Sequence, residues 1–419
     1  MREMKDSGIP WIGEIPVEWQ VYPARYAFSE IRTKNTDGSV TNALKFYNGT
    51  IVPKTNFDAD SDEYVADTIT NYTVVNPDTI MINGLNLNYD LKSLRVGLVK
   101  ETGVITSAYL ALWPNSSRIL PQYATYLFKG YETKMAFHNM GAGIRKTLGF
   151  KEYKRQPVLF PAIDEQQRIV TFLDTECARI DAVMEQTRAS IEEYKKLKQS
   201  IITEAVTKGI RQNRDMKPCH AEWIDNIPTN WIECRIKDVV FPQNRPVIDG
   251  DNIITCFRDG TVTLRKNRRE DGFTVSFTEN GYQGVECGDL VIHGMDAFAG
   301  AIGCSDSRGK TTPVVHVCKT AGNNKYFMYF LRSMAYGDIL MDLSNGVRIR
   351  SSDFRNFAKL GVFRIVVPPI EEQNAIVKYL DEKVASIDYL IREKERLMVE
   401  MESYKKSLIF EYVTGKKEA

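Results

Sequence analysis

The sequence predicts an α+β protein: two mixed α/β domains joined by two long helices that pair as an antiparallel coiled coil, with a pseudo-two-fold internal repeat. Three observations carry this. The 419 residues repeat themselves at about half the chain length. Each half ends in ~45 residues without an internal proline and with apolar residues at heptad spacing. The stretch before each such segment mixes short strand-like runs with one helical run, punctuated by Gly and Asn. With 43% hydrophobic and 26% charged residues, the chain has ample material for packed cores.

The elements follow in order. Trp11-Ile-Gly-Glu-Ile-Pro-Val-Glu-Trp19 opens the first half, and Trp223-Ile-Asp-Asn-Ile-Pro-Thr-Asn-Trp231 opens the second. Residues 1–158 are expected to form one globular domain, with strand-like runs at 79–82 and 108–112 and a helical stretch at 123–135. Residues 159–212 form the first long helix, starting near Asp164 just after Pro161. Residues 213–366 repeat the globular pattern, with runs at 289–292 and 314–317 and a helical stretch at 326–341. Residues 367–419 hold the second long helix. Ile163 to Asp181 and Ile370 to Asp388 share ten of nineteen residues without a gap, as a continuous helix requires, because an insertion would rotate its buried face.

The expected helix–helix seam comprises Leu173, Cys177, Ile180, Met184, Ile191, Tyr194 and Ile201. Its counterpart in the second helix comprises Leu380, Val384, Ile387, Ile391, Met398, Met401 and Leu408. Lys198, Lys394 and Lys405 interrupt it. Gly209 and Gly415 provide the stops. The alternatives are that each helix packs on its own globular domain or that the two pack on each other; two matching seams in one chain favour the second.

Charge narrows the function. Lys plus Arg number 55 and Asp plus Glu 54, a net of +1, which excludes a polycation and an acidic tail. Residues 164–208 carry nine acidic and seven basic side chains, and residues 371–417 ten and nine, so the remainder stands at +4. Mildly basic globular parts are permissive for nucleic acid. Two basic or polar clusters are candidates for DNA contact: Arg265, Lys266, Arg268 and Arg269, and Arg348, Arg350, Ser351 and Ser352. Arg145, Lys146 and Thr147 answer the second in the first half. Arg can pair bidentately with guanine, and Ser, Thr and Lys can hold phosphates. For the 265–269 run alone, a solvated charge cluster is the stronger reading; equivalent placement in both halves favours DNA for Arg145 and Arg348.

Catalytic and metal-binding patterns are not found. The seven cysteines form no C-x-x-C pair and read as small hydrophobes, and the four histidines lack metal-ligand spacing. Gly303 to Thr311 has five residues between its glycines where a phosphate loop has four. Asn76-Pro77-Asp78-Thr79 is not the Asn-Pro-Pro-aromatic motif of amino-methyltransferases. The chain carries no membrane-length apolar run and starts without a secretory signal, so a cytoplasmic recognition or scaffold protein without a metal site of its own is expected.

The tandem halves, the Trp-Ile-Gly-Glu-Ile-Pro lead-in and a twice-used helix start resemble the DNA-specificity subunit of type I restriction–modification systems. That helix start reads Pro161, Ile163, Glu165, Gln166, Ile169, Val170, Leu173, Asp174, and again Pro368, Ile370, Glu372, Gln373, Ile376, Val377, Leu380, Asp381. The resemblance implies a non-catalytic subunit in which each globular domain is a target-recognition domain reading one half of a split double-stranded DNA site. It implies that the helices act as spacer and as docking platform for two methyltransferase subunits, joined by restriction/translocase subunits. It assigns S-adenosylmethionine, ATP and Mg²⁺ to those partners and no cofactor to this chain. The alternatives are a coiled-coil interaction scaffold without DNA specificity and a stand-alone DNA nuclease or methylase.

Overall fold

The structure is a computed structural model that describes residues 2–54, 69–89, 94–138, 140, 147–268, 279–341 and 354–419. It divides into two compact units, Met1–Thr187 with Arg396–Ala419, and Arg188–Glu395. These units cut across the four segments expected from the sequence. Each long helix is shared, because it starts beside one globular domain and its far end packs with the other. Among the described residues no helix is long and apolar enough to cross a membrane.

The first unit runs β1 (Met4–Asp6), β2 (Glu14–Pro16), β3 (Gln20–Pro23), β4 (Phe28–Glu30), β5 (Leu44–Tyr47), β6 (Thr50–Pro53), β7 (Thr73–Val75), β8 (Ile80–Ile82), β9 (Val96–Leu98), β10 (Gly103–Ile105), β11 (Leu110–Pro114), helix α1 (Pro121–Thr133), β12 (Pro157–Phe160) and the start of α2 (Ile163–Lys208). A four-stranded antiparallel sheet has the order β4-β11-β8-β9, and the pairs β1-β2, β3-β12, β5-β6 and β7-β10 complete the ladders. Central β8 is buried throughout, so it is apolar at every position instead of alternating. Helix α1 takes Pro at its first position and buries Tyr123, Leu127 and Tyr131 together with Ala124 and Phe128, the i, i+4 rows of one face.

The second unit runs β13 (Met216–Pro218), β14 (Asn226–Pro228), β15 (Ile232–Arg235), β16 (Val240–Pro242), β17 (Ile254–Cys256), β18 (Val262–Leu264), β19 (Gln283–Val285), β20 (Leu290–His293), β21 (Ile302–Cys304), β22 (Gly309–Thr311), β23 (Val315–Thr320), helix α3 (Asn324–Tyr336), β24 (Arg364–Val367) and the start of α4 (Ile370–Val413). Its sheet order is β16-β23-β20-β21, with pairs β13-β14, β15-β24, β17-β18 and β19-β22. Adding twelve to each strand of the first unit reproduces every pairing of the second. The globular halves, loosely similar in sequence, share one strand network. Gly303 to Thr311 spans β21 and β22, with no helix after it to hold a phosphate.

One polar cluster joins lead-in, domain and helix in each unit. The Trp19 indole N–H donates to Glu165 in the first turn of α2 at 3.0 Å. Arg2 pairs with the same carboxylate and lies 5.7 Å over the indole. In the second unit Trp231 donates to Glu372 at 3.0 Å, Arg214 pairs with that carboxylate, and it lies 5.7 Å over the ring. The next residue fixes the domain's own helix: Gln166 accepts from Leu120 N–H at 2.8 Å and Gln373 from Asn323 N–H at 2.9 Å, each at a helix N-cap. Asp174 and Asp381 then accept from Tyr126 and Tyr329 hydroxyls at 2.7 and 2.8 Å. The twice-used motif is thus a clamp between a long helix and its globular domain.

Each unit also holds the end of the other long helix. Tyr123 donates to Val413 O at 3.3 Å in the first unit, and Tyr326 to Val206 O at 3.1 Å in the second. Gly415 and Gly209 close these ends with φ of +70° and +80°, which glycine adopts without strain. A Cβ there would lie 3.1 Å from the Trp19 ring and 3.2 Å from the Trp231 ring.

Within each unit the helix segments run antiparallel. In the first, Phe172 stacks on Tyr412 at 4.3 Å and Lys405 pairs with Asp181 at 2.6 Å. In the second, Lys198 pairs with Asp388 at 2.6 Å and Lys394 lies 5.7 Å over the Tyr194 ring. The lysines that interrupt the apolar seam therefore have partners across it. Leu173, Cys177, Ile180, Ile191, Leu380, Ile387, Ile391 and Leu408 are buried, while Met184, Tyr194, Ile201, Val384, Met398 and Met401 are partly so. Towards the ends the burial shifts to Ile202, Ala205 and Val206, and to Ile409, Phe410 and Val413. There the helix meets a globular domain instead of a helix, and that domain takes a different face.

Glu372→Ala should destabilise the second unit by about 1–3 kcal/mol, because the part-buried Arg214 and the Trp231 indole N–H would lose their carboxylate. Trp231→Phe should cost about 1–3 kcal/mol. Denaturant melts of the full chain measure both. Equal, near-zero effects would deny the clamp its role.

The units should also differ in pH response. Burial would raise the Glu372 carboxyl, but its bonds from Arg214 and Trp231 outweigh this and hold it below the ordinary value. Its stabilising contribution is complete above the unfolded value of 4.5 and disappears as pH falls through the lower folded value. In the first unit burial pushes Glu132 up to about 7, against the N–H of Arg95. That contribution is complete below 4.5 and is lost as pH rises through about 7. Thermal melts between pH 5 and 8 should show the loss, and Glu132→Gln should flatten it; a slope unchanged in the variant would exclude Glu132 as its source.

Candidate nucleic-acid interface

Two of the sequence-predicted basic residues meet in the second unit. After β18 the chain makes a short 3₁₀ turn, Arg265–Asn267, followed by Arg268. The turn folds back on the hairpin β17–β18, whose tip is Phe257-Arg258-Asp259-Gly260-Thr261. Together with the end of β20 and the loop after it, these elements enclose a cleft of about 720 Å³ lined by Phe257, Arg258, Asp259, Arg265, Arg268, His293 at the end of β20 and Asp296 from the loop, among others.

The cleft is built from paired charges. Arg268 bonds Asp259 at 2.6 Å, and its guanidinium lies 4.4 Å over the Phe257 ring. Arg258 bonds Asp296 at 2.8 Å. Arg265 reaches the Thr255 hydroxyl at 3.3 Å. Burial would raise the Asp259 carboxyl, but bonds from Arg268 and Thr261 hold it below the ordinary range. His293 sits below the usual imidazole value through burial, opposed by Asp296 and reinforced by Arg258. Its Nδ1 accepts the N–H groups of Met295 and Asp296 at 3.3 and 3.1 Å, as a neutral ring does.

The hairpin tip is anchored from behind. Arg332 of α3 donates to Asp259 O at 2.7 Å. The Gly260 carbonyl lies so close over Gly303 that a Cβ there would come within 2.1 Å of its oxygen, so no side chain fits. The charged groups therefore ride on a fixed turn, not a free loop.

Lys266 is exposed beside the cleft and Thr147 is exposed in the first unit, apart from these residues. Arg145, Lys146, Arg269, Arg348, Arg350, Ser351 and Ser352 lie outside the described residues. The ends of their segments are anchored alike: Leu148 N–H donates to Gly84 O at 2.9 Å, and Phe354 N–H to Gly294 O at 2.8 Å, each just past a central strand. Sequence reasoning missed Phe257, Arg258, Asp259, His293 and Asp296. The Asp-Gly step between two strand-like runs was a usable hairpin signal. Among the described residues no group of His, Cys, Asp and Glu is arranged to hold a metal ion, and the cysteines are all free.

No family model matches the chain. Two curated proteins from Methanocaldococcus jannaschii do. The type I restriction enzyme MjaVIII specificity subunit is 22% identical over 96% of this chain and 93% of its own length. The protein named for the MjaX specificity subunit is 22% identical over 97% of this chain and 95% of its own. Among solved structures, a chain from a type I restriction–modification system superposes with a TM-score of 0.65 at 13% identity, covering 96% of this chain and 99% of that one, a likeness of fold. Along nearly its whole length the chain is thus similar in sequence to proteins named as type I restriction specificity subunits, and similar in fold to a chain of a type I restriction–modification system.

Proposed function

We propose that the chain is the non-catalytic, sequence-specific DNA-recognition subunit of a type I restriction–modification complex, working in the cytoplasm. The observation that carries this is end-to-end similarity to proteins named as specificity subunits. Two units with one strand network but different surface residues support a bipartite target, with one unit per half-site. In this reading double-stranded DNA is the ligand. Two methyltransferase subunits and the restriction/translocase subunits are the partners, and they hold S-adenosylmethionine, ATP and Mg²⁺.

Exposed apolar positions support docking of two copies of one partner. Val183 and Tyr404 in the first unit, and Leu390 and Leu197 in the second, are exposed. Val183 and Leu390 immediately precede seam residues, Leu197 and Tyr404 immediately precede the interrupting lysines Lys198 and Lys405, and the two sets are related by the offset of the repeat, 207 residues, so the same exposed positions occur twice.

Mapping methylated bases in the host genome with and without this gene tests the reading. Loss of methylation at one bipartite sequence is expected. An unchanged methylome, with no sequence preference in DNA binding, would leave a scaffold role instead. The purified chain incubated with DNA, S-adenosylmethionine, ATP and Mg²⁺ is expected to transfer no methyl group and make no break. Activity that tracks the chain through further purification would refute its assignment as non-catalytic.

A further inference from the structure

We propose that the second unit's cleft reads a G·C base pair in the major groove, with Arg268 as the guanine-reading side chain; this rests on the DNA-recognition reading above. The choice between phosphate and base follows from the charges. Three guanidiniums line the cleft, but Asp259 and Asp296 stand among them. Each carboxylate is paired with a guanidinium, which leaves less free positive charge for a phosphate. These pairs suit a ligand that presents acceptors and a donor side by side. The major-groove edge of a G·C pair does so: guanine O6 and N7 accept, and the cytosine amino group donates to a carboxylate.

Arg268 is prepared for that contact. The Phe257 ring, 4.4 Å from its guanidinium carbon, and the bond to Asp259 at 2.6 Å both restrain the side chain. Asp259 is itself held by the Thr261 N–H at 3.0 Å, and its backbone by Arg332. A guanidinium has five donors in a planar fork, so pairing with one carboxylate leaves capacity for a bidentate contact. Ordering the side chain before DNA arrives lowers the entropy cost of binding. Neither the phenyl ring nor the carboxylate is needed to hold a phosphate-binding arginine.

The test is selection of binding sites from random duplex DNA, using the assembly purified through a tag on the full chain. The variants are Arg268→Lys, which keeps the charge but loses the fork, and Asp259→Asn, which keeps the shape but loses the pairing charge. Wild type should show one G·C position in one half-site that both variants relax, by roughly 5- to 100-fold in preference. All other positions, including the other half-site, should stay unchanged. A uniform loss of affinity with an intact motif would make Arg268 a phosphate contact and overturn the inference. Unchanged binding in both variants would overturn it as well. If wild type itself selects no motif, the DNA-recognition reading fails, and this inference with it.

Discussion

An indole N–H bound to a glutamate in the first turn of a long helix organises each unit. The carboxylate sits at the positive end of the helix dipole, accepts from Trp19 or Trp231, and pairs with Arg2 or Arg214. The same indole packs against the glycine that ends the other long helix. Four pieces of chain distant in sequence therefore meet at one side chain: the lead-in hairpin, the globular domain, one helix start and one helix end. Loss of one partner from such a largely desolvated cluster is costly, because the groups left behind lose their hydrogen-bond and charge partner.

How much of this was readable in the sequence depended on how strongly the physics constrains each residue. The duplication and the two helices were legible because a gap or proline would rotate or break a buried face. The Glu-Gln-x-x-Ile-Val-x-x-Leu-Asp motif was legible as a repeat, but its meaning was not. Only the structure pairs Gln166 with Leu120 and Asp174 with Tyr126. Lys198 and Lys405 looked like breaks in the seam because a heptad reading scores residues singly, while Asp388 and Asp181 lie nearly two hundred residues or more away in the chain. Ile201 was assigned to a seam that, near the helix end, gives way to Ile202 and Val206 against a globular domain. Three-residue strands leave too short a trace for period counting, so the twelve-strand network was invisible.

The candidate site was legible only in part for a related reason. Arg265 and Arg268 stood out as a basic run, yet their acidic partner Asp259 lies across a hairpin and reads alone as turn chemistry. The equivalent tip in the first unit, Tyr47-Asn48-Gly49-Thr50, carries no charge. Packing holds the clamp residues alike in both units, while solvent leaves the hairpin tips free to diverge. The two units thus share a frame and differ at their hairpin tips.

The division into units has a consequence for synthesis. The second unit is one unbroken stretch, Arg188–Glu395, so its core can close as soon as that stretch has left the ribosome. The first unit needs Arg396–Ala419, because Phe172, Tyr123 and Trp19 pack against Tyr412, Val413 and Gly415. The domain made first is therefore completed last. Until then its aromatic surfaces wait uncovered, the condition under which nascent chains misassociate. Removing the final residues would accordingly injure the N-terminal domain and spare its neighbour, the reverse of what position in the chain suggests.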